Sequence, residues 1–203
     1  MAKIKHTKNE LKTQREALAR YRRFLPTLEL KKSQLVGEIR HLGHEIELLE
    51  DEIQRIAEEV FKWVDVMAEP IDLKSLIKVR EIVLDDSNIA GIDIRIFQRV
   101  EFEEIDYDFF TTPLWIDQAL EVLKEQIARR IKIQTLNEQV DILLEELRIT
   151  IQRINLFEKV KIPEARENIR TIQIFIGDAQ TAEVVRGKIA KSKIQNKKEP
   201  VRE

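Results

Sequence analysis

Two histidines three residues apart are the first groups in this sequence with a spacing that could do chemistry. His41 and His44, with Glu45 beside them, would lie on neighbouring turns of a helix, where imidazole and carboxylate groups could hold a divalent metal. Their sequence, HLGHE, matches no zinc-enzyme motif, and both histidines fall on the outward positions of the heptad pattern described below. The pattern favours two solvated histidines and predicts neither a metal nor a cofactor.

The other candidates for chemistry are acidic or glycine-containing segments. Residues 85–88 (DDSN) offer oxygen ligands but lack the fixed glycine and the closing glutamate of a calcium loop, so a turn is favoured. Carboxylates within residues 101–108 could form an acid–base pair, but no pocket is indicated around them. Gly187 and Lys188 lack the earlier glycine of a phosphate-binding loop. The sequence therefore predicts a non-catalytic protein.

Composition points to long helices and to a protein without membrane or nucleic-acid contacts. Among 203 residues there are only five glycines, five prolines and no cysteine, while 35% of the residues are charged. The absence of cysteine favours a reducing compartment, and no apolar run reaches the roughly eighteen residues that cross a bilayer. We expect a cytoplasmic protein without direct membrane insertion. The basic N-terminus has no interleaved aromatic residues, so no nucleic-acid partner is expected.

Charge is distributed unevenly along the chain. Residues 1–32 carry a local net charge of +7, residues 38–72 carry −8, residues 81–121 carry −9 and the last 43 residues carry +4. If the two ends of the chain pair side by side, the protein has one basic tip and one acidic base. Solvated faces of long helices explain the same pattern equally well.

The first seventy residues follow one heptad register, which predicts a long helix to which the other elements would attach. Counted from Ile4, apolar residues occupy nearly every a and d position from Leu18 to Met67, and only Lys32 interrupts the stripe. A stripe that repeats every 3.5 residues lies against a partner helix. About sixty helical residues would make a rod of about 90 Å. Thr7 and Glu10 fit a capping box at its start, and Pro70 predicts its end near Ala68.

A second long helix supplies the partner. Thr112 and Pro113 predict its N-cap and first residue, and its apolar stripe slips register near residues 130–134 and again between Phe157 and Ile162. Pro26 and Pro163 would interrupt the two helices within about 9 Å of each other, which predicts a shared bend. The predicted seam consists of Leu18, Leu25, Leu28, Leu35, Ile39, Leu42, Ile46, Leu49, Ile53, Ile56, Leu136, Val140, Leu143, Leu147, Ile154 and Phe157.

Between the two helices the sequence predicts a β-hairpin. Residues 78–84 (KVREIVL) and 91–97 (GIDIRIF) are rich in β-branched residues and would pair across a loop of about six residues, and residues 98–112 are expected to form an acidic, aromatic loop. The fold is thus mainly α, a long antiparallel two-helix coiled coil with a small β-hairpin insertion. Its predicted segments are the N-terminal coiled-coil helix (1–69), the hairpin and acidic loop (70–112), the C-terminal coiled-coil helix (113–190) and a basic disordered tail (191–203).

Residues 153–163 (RINLFEKVKIP) resemble a known family signature. They resemble the pattern R-x-[VI]-N-x-[LF]-E-x-x-x-I-P of the D subunits of the vacuolar/archaeal-type rotary ATPases, with one residue fewer between Arg153 and Asn155, through Arg153, Asn155, Glu158, Ile162 and Pro163. Residues 88–92 (NIAGI) also resemble the N-[IV]-x-G-[VI] segment of that family, and the order helix, hairpin, helix is similar along nearly the whole chain. Pro26 departs from the unbroken first helix of the family, and residues 179–191 match weakly.

The resemblance implies a central-stalk rotor subunit that transmits torque between the catalytic A/B hexamer and the ion-translocating membrane ring. Such a chain would bind the catalytic A and B subunits, the F subunit and the C (or d) subunit, and would be peripheral to the membrane as part of the complex. Proton or sodium selectivity would belong to the membrane ring. The resemblance implies that the basic tip faces the hexamer through Lys8, Lys12, Arg15, Arg20, Arg22 and Arg23. It also implies that the hairpin faces the F subunit through Asn88, Gly91, Ile94 and Phe97.

Two other functional classes fit the same pattern of helices. A prefoldin-like chaperone subunit also joins terminal coiled-coil helices through β-hairpins, but its helix tips present apolar grooves, whereas the tip here is basic. A coiled-coil scaffold or tether is the other alternative. Co-purification separates the three, because only a rotor shaft would bring down A-, B- and F-type subunits.

Overall fold

The computed structural model describes residues 4–61, 76–105, 113 and 115–198, which contain a long helix, a β-hairpin and a second long helical stretch in chain order. In chain order the elements are helix α1 (Lys8–Phe61), strand β1 (Val79–Ile89), strand β2 (Ile92–Phe102), helix α2 (Ile116–Asn155), a π-helical segment (Leu156–Lys161) and helix α3 (Ile162–Lys198). The two strands form one antiparallel sheet. The predicted fold class, mainly α with a small hairpin insertion, is confirmed.

The chain divides into two compact units. A central unit comprises Lys31–Thr150, and a terminal unit combines Met1–Leu30 with Ile151–Glu203. The two units do not coincide with the four predicted segments, because α1 contributes residues to both units.

The start of α1 follows its capping signal. The Glu10 amide donates to Thr7 Oγ1 at 3.2 Å, which is one half of the predicted capping box, and α1 begins at Lys8. The helix continues through Pro26 to Phe61. Its predicted end near Ala68 lies outside the described residues.

In the central unit, α1 and α2 pack as an antiparallel pair. Leu35 and Leu42 of α1 and Leu136 and Leu143 of α2 form the buried core cluster. Ion pairs join Lys31 to Glu146, Glu45 to Lys132 and Glu52 to Arg129, so the α2 partner moves backwards along the chain as α1 advances. The two helices therefore run in opposite directions, as the heptad pattern predicted.

The hairpin is longer, and its turn tighter, than the sequence indicated. Strands of 11 residues each are joined by Ala90 and Gly91, and the predicted six-residue loop is wrong. Positive φ angles at both turn residues, 52° and 80°, are those of the two-residue turn whose twist matches antiparallel strands. Asn88 stabilises this turn because its Oδ1 accepts from the Gly91 amide at 2.9 Å. Residues 85–88 therefore belong to β1.

The expected loop at residues 98–112 is also corrected at its start. β2 continues to Phe102, and Val100 pairs with Ile82 while Phe102 pairs with Val79. The strand is extended because the alternating apolar residues of QRVEF find partners on β1, with Gln98 accommodated as a bulge. Residues 106–112 lie outside the described part of the chain.

Helix α2 begins three residues later than predicted. The Ile116 amide donates to the Pro113 carbonyl at 3.1 Å, which closes a tight turn before the first α-helical residue, Ile116. Thr112, the predicted N-cap, lies outside the described residues. At the first predicted register slip, residues 130–134, α2 remains a regular α-helix.

In the terminal unit, the first part of α1 pairs with α3. The rings of His6 and Phe175 lie 4.8 Å apart, Asn168 Nδ2 donates to Gln14 Oε1 at 3.4 Å, and the rings of Tyr21 and Phe157 lie 5.2 Å apart. The α3 side of this pair is buried at Ile162, Ala165 and Ile172. This pair too is antiparallel.

The predicted disordered tail is helical over its first part. α3 runs to Lys198, through residues 191–198, and residues 199–203 lie outside the described part of the chain. Between Gly187 and Pro200 the sequence contains no proline or glycine and many residues with good helix propensity, which explains the continuation. The basic character of the segment led to the wrong expectation.

Candidate assembly surfaces

The predicted seam residues are all buried or half-buried. Leu35 and Leu143 have no exposed surface, Leu42 and Leu136 are 6% exposed, and the other twelve residues of the seam are half-buried. Lys32, which interrupts the heptad, is exposed, and its neighbour Lys31 lies at the interface instead. The side chains of the predicted seam are therefore at least partly covered by other parts of the chain.

Two ion pairs between α1 and α2 flank the seam of the central unit, and the basic residue lies on α1 in one pair and on α2 in the other. Lys31 Nζ lies 2.7 Å from Glu146 Oε1, with the base on α1. Lys132 Nζ lies 2.7 Å from Glu45 Oε1, with the base on α2. Side chains of these four residues are 23–35% exposed, so each pair is partly screened by water. These pairs were not predicted from the sequence, although each partner stands next to an a or d position.

The candidate chemical groups of the sequence form no reactive cluster. His41 and His44 are exposed, as their outward heptad positions predicted, and His44 Nδ1 lies 3.7 Å from Glu47 Oε2. Among the described residues, no group of three or more histidines and carboxylates could hold a metal ion. Asp85 accepts hydrogen bonds from the Asp86 amide and from Gln98 Nε2, so it stabilises the hairpin.

The pKa shifts reflect one exposed ion pair on α2. Arg148 donates to Glu145 through two hydrogen bonds of 2.9 and 2.6 Å. These bonds hold the pKa of the Glu145 carboxyl below its ordinary value and raise the pKa of the Arg148 guanidinium. Both side chains are more than half exposed, which is typical of a surface pair within one helix rather than of a catalytic group.

The basic tip is a set of exposed cations on α1. All six of its residues are exposed, and Lys12 makes a long contact of 3.9 Å with Glu16, where both side chains are well exposed. Phe24 follows them and is 51% exposed. Cations next to an exposed aromatic ring are available to another molecule.

The signature, residues 153–163, spans the π-helical segment Leu156–Lys161. Ile162 donates its amide to the Phe157 carbonyl five residues back, so this segment contains one more residue per turn than an α-helix. The buried stripe passes from Phe157 to Ile162, a step of five, which is the second register slip of the sequence. Pro163 follows directly and lacks the amide that a regular helix would need. The signature therefore marks the place where the helix changes register.

Individual signature residues face different ways. Ile162 is 8% exposed and packs in the terminal unit, and Asn155 is half-buried. By contrast, the charged side chains of Arg153 and Glu158 are exposed to solvent. Pro163 directly follows Ile162 in the sequence. The signature thus combines residues that shape the helix with residues left on the surface.

The last part of α3 is exposed on every side. From residue 177 to residue 195 no side chain is buried or half-buried. Val184, Ile189 and Ile194 are 51–59% exposed, and the segment carries more bases than acids. A helical segment of this length, with exposed apolar side chains and no partner in the described chain, is suited to binding another protein.

The four hairpin residues predicted to face another subunit divide into turn, core and surface. Asn88 and Gly91 form the turn, and the Asn88 Nδ2 donates to Asp93 Oδ1 at 2.7 Å. Ile94 is 3% exposed, so it supports the hairpin from within the central unit. Phe97 is half-buried and pairs with Leu84, which is 37% exposed. Of these four residues, Phe97 is the apolar one that lies on the exposed face of the hairpin.

Gln139 and Thr135 are buried polar residues that were not predicted from the sequence, and Thr150 is a third. Gln139 is 4% exposed and its Nε2 donates to the Arg95 carbonyl at 2.6 Å, which fastens β2 to α2. Thr135, one turn earlier, is 7% exposed and bonds its own helix at the Ile131 carbonyl. Thr135 and Gln139 directly precede the seam residues Leu136 and Val140 in the sequence. This position of polar residues beside the seam is the sequence feature that could have indicated their burial.

Comparison with known proteins identifies the family. The model of the family of ATP synthase D subunits matches residues 10–192. The V-type ATP synthase D subunit of Borreliella burgdorferi is 46% identical over 197 residues, which cover 97% of this chain and 98% of that protein. Proteins of the same name from Chlamydia caviae and Chlamydia pneumoniae are 31% and 30% identical, each over at least 95% of both chains. The chain belongs to the family of ATP synthase D subunits.

Proposed function

We propose that this chain is the central-stalk rotor of a V/A-type ATPase or ATP synthase, its D subunit, and that it transmits torque between the catalytic A/B hexamer and the ion-translocating membrane ring. Family membership over residues 10–192 is the observation that carries the proposal. A non-catalytic role follows from the same membership, because this subunit is a structural part of the stalk. The family match does not favour the chaperone or the scaffold.

The terminal unit is the part proposed to enter the hexamer. Its six basic residues on α1 are exposed, and α3 presents exposed apolar side chains over residues 177–195 without a partner in the described chain. A ring of surrounding subunits would cover both surfaces. Exposed cations favour a partner surface rich in carboxylates, whose attraction falls as salt screens it.

The central unit is proposed to bind the other stalk subunits. Phe97, Leu84, Ile82 and Val100 form two cross-strand pairs on one face of the hairpin, and Ile82 and Leu84 are 43% and 37% exposed. This apolar face is the surface we assign to the F subunit, with Asn88 and Gly91 holding the turn and Ile94 supporting the hairpin from behind. The acidic end of α1 and the beginning of α2 would stand on the C (or d) subunit.

A peripheral position on the cytoplasmic side of the membrane fits this assignment. Within the described ranges, no helix combines the length and the apolar character that crossing a bilayer requires. Contact with the membrane ring would therefore pass through the C (or d) subunit.

Reversal of charge at the basic tip tests the proposal. We expect the triple variant Arg15→Glu/Arg22→Glu/Arg23→Glu to lose about tenfold or more in affinity for the A/B hexamer at low salt, because three exposed cations become anions. Coupled ATP-driven ion transport should fall with it. The measurement is co-purification and transport of the reconstituted complex, after circular dichroism has shown that the variant is helical.

The matched control reverses two arginines of the central unit. Arg40→Glu/Arg55→Glu makes a similar change on the same helix, and we expect it to leave binding of the hexamer unchanged. Normal assembly and coupled turnover of the triple variant would contradict the proposed orientation. Failure of the unaltered chain to co-purify with any A- or B-type subunit would contradict the proposed function itself.

A further inference from the structure

The two outer edges of the hairpin differ in what covers them. Ile89 and Ile92 flank the two-residue turn and form a hydrogen-bonded pair, and such pairs alternate along an antiparallel ladder. By this alternation the amide and carbonyl of Arg95 point away from β1. Gln139 of α2 meets the Arg95 carbonyl at 2.6 Å, so α2 covers the β2 edge.

The same alternation leaves the β1 edge open. The amides and carbonyls of Ile82, Leu84 and Asp86 point away from β2, and the bulge at Gln98 does not disturb them because it lies on the other strand. Asp86 donates its amide to the carboxylate of Asp85 at 3.0 Å. For Ile82 and Leu84, the structure over residues 4–61, 76–105, 113 and 115–198 contains no further strand or side chain bonded at this edge. An open strand edge is a template for another strand.

The sequence of β1 is complementary to itself in reverse. If a second β1 pairs antiparallel with a two-fold axis at Val83, Ile82 lies opposite Leu84 of the second copy and Arg80 lies opposite Asp86 of the second copy. Arg80 lies at the register shift between Val79 and Glu81 and has no partner residue on β2, so only its charge is counted in this pairing. The register therefore joins open amides to open carbonyls, apolar side chains to apolar side chains, and a cation to an anion at each end.

We propose that the β1 edge is a self-association surface through which two copies of this chain form one four-stranded antiparallel sheet. The pairing does not rest on the proposed function, although it involves Ile82 and Leu84, which also belong to the face assigned to the F subunit. Since the interface is one strand wide, it should be weak and reversible, and another protein that covers this edge in an assembly would dissolve it. Glu81 lies opposite Asp85 of the second copy on the other face, so this register also contains two unfavourable pairs, one on each side of the two-fold axis.

A charge swap tests the register. Sedimentation equilibrium of the full chain should give a dimer whose dissociation constant rises about tenfold in Arg80→Asp and in Asp86→Arg, because each substitution places like charges opposite each other at both ends. The double variant Arg80→Asp/Asp86→Arg restores both attractions and should recover the original constant. Glu81→Lys should strengthen the dimer. Arg55→Asp, an exposed reversal on α1, should change nothing.

A cross-link tests the position of the two-fold axis. The chain has no cysteine, so Val83→Cys introduces a single thiol that would meet its own copy in a non-hydrogen-bonded pair, at a Cα separation of about 4.5 Å that a disulfide can bridge. Oxidation should give a covalent dimer of Val83→Cys but not of Ile96→Cys on the covered strand. Leu84→Pro removes an outward amide without touching the ladder and should prevent the cross-link.

Three results would overturn the inference. The first is a dissociation constant that the double variant does not restore, and the second is equal cross-linking at positions 83 and 96. The third is a chain that stays monomeric at all concentrations and whose β1 amides become protected from exchange only when other subunits are added, which would assign the edge to a partner's strand.

Discussion

Leu143 and Leu144 are neighbours in α2 with opposite environments. Leu143 is completely buried in the core cluster with Leu35, Leu42 and Leu136, whereas Leu144 is 45% exposed. Truncation of the buried side chain removes its contacts and leaves a cavity, so we expect Leu143→Ala to lower the free energy of unfolding by about 3 kcal/mol. Urea unfolding followed by circular dichroism measures this change.

Leu144→Ala is the matched control for that prediction. It makes the same chemical change one residue away on the surface, and its effect on the free energy of unfolding should stay within about 0.5 kcal/mol. Equal losses in the two variants would mean that the seam is not the core of the central unit.

Charged residues beside the seam fix how the two helices of the central unit align. Lys31 with Glu146 places the base on α1, and Glu45 with Lys132 places it on α2. A parallel partner, or a shift of α2 by one or two turns, would set like charges or apolar side chains against these groups. Each partly exposed pair contributes only about 0–1 kcal/mol. Their combined value therefore lies in selecting one register rather than in adding stability.

The π-helical segment allows a proline and a continuous seam to coexist. A proline inside a regular helix costs about 3 kcal/mol, and the wider turn of residues 156–161 precedes Pro163. Deletion of exposed Lys159 would shorten the step between Phe157 and Ile162 from five to four, which a regular α-helix accommodates. We expect this deletion alone to destabilise the chain, because Pro163 then sits in a regular helix, and the added change Pro163→Ala to restore most of the loss.

The control for this prediction is a deletion within regular α-helix. Removal of exposed Gln152 from α2 rotates every later seam residue by about 100°, and Pro163→Ala should not rescue it. Urea midpoints of the four variants make the comparison. If the Lys159 deletion is harmless without Pro163→Ala, the π-helical turn does not serve to accommodate the proline.

Helices and strands differed in how far the sequence could predict them. The seam from Leu18 to Ile56 was predicted because a period of 3.5 residues has one physical meaning, packing against another helix. The slip between Phe157 and Ile162 was visible as a step of five, but its structure was not, since a stutter and a π-helical turn leave the same pattern. Beyond Gly187 the sequence of α3 is polar and basic, so no apolar period announced that the helix continues there.

The hairpin turn shows why local sequence patterns placed the turn of the hairpin at the wrong residues. Residues 85–88 have the composition of a turn, yet they form strand because Asp85 and Asn88 bond the backbone of the hairpin itself. The real turn uses Ala90 at a φ of 52°, a conformation that residues other than glycine seldom adopt. The hydrogen bond of Gln139 to β2 joins residues that are far apart in the sequence, so no local sequence pattern predicts it.

At the scale of the whole molecule, buried surface is distributed unevenly along the chain. The core cluster and the hairpin tip, Ile89, Ala90 and Ile92, pack together in the central unit. In the terminal unit, burial on α3 ends with Ile172 and the half-buried Ile176. The described residues beyond that point have hydrogen bonds only within the helix itself, which are marginal in water for a helix of about twenty residues. Stability should therefore fall steeply along α3.

Hydrogen exchange measures that gradient directly. In the isolated chain we expect amides of residues 177–198 to exchange at least about a hundredfold faster than those of residues 136–147, because local opening of the exposed helix breaks no side-chain packing. In the assembled complex the same amides should slow strongly, since the proposed hexamer covers the exposed apolar residues Val184, Ile189 and Ile194. Residues 136–147 are the internal control and should be equally protected in both states. Uniform protection along α3 in the isolated chain would show that this helix needs no partner, and an unchanged rate in the complex would place it outside the hexamer.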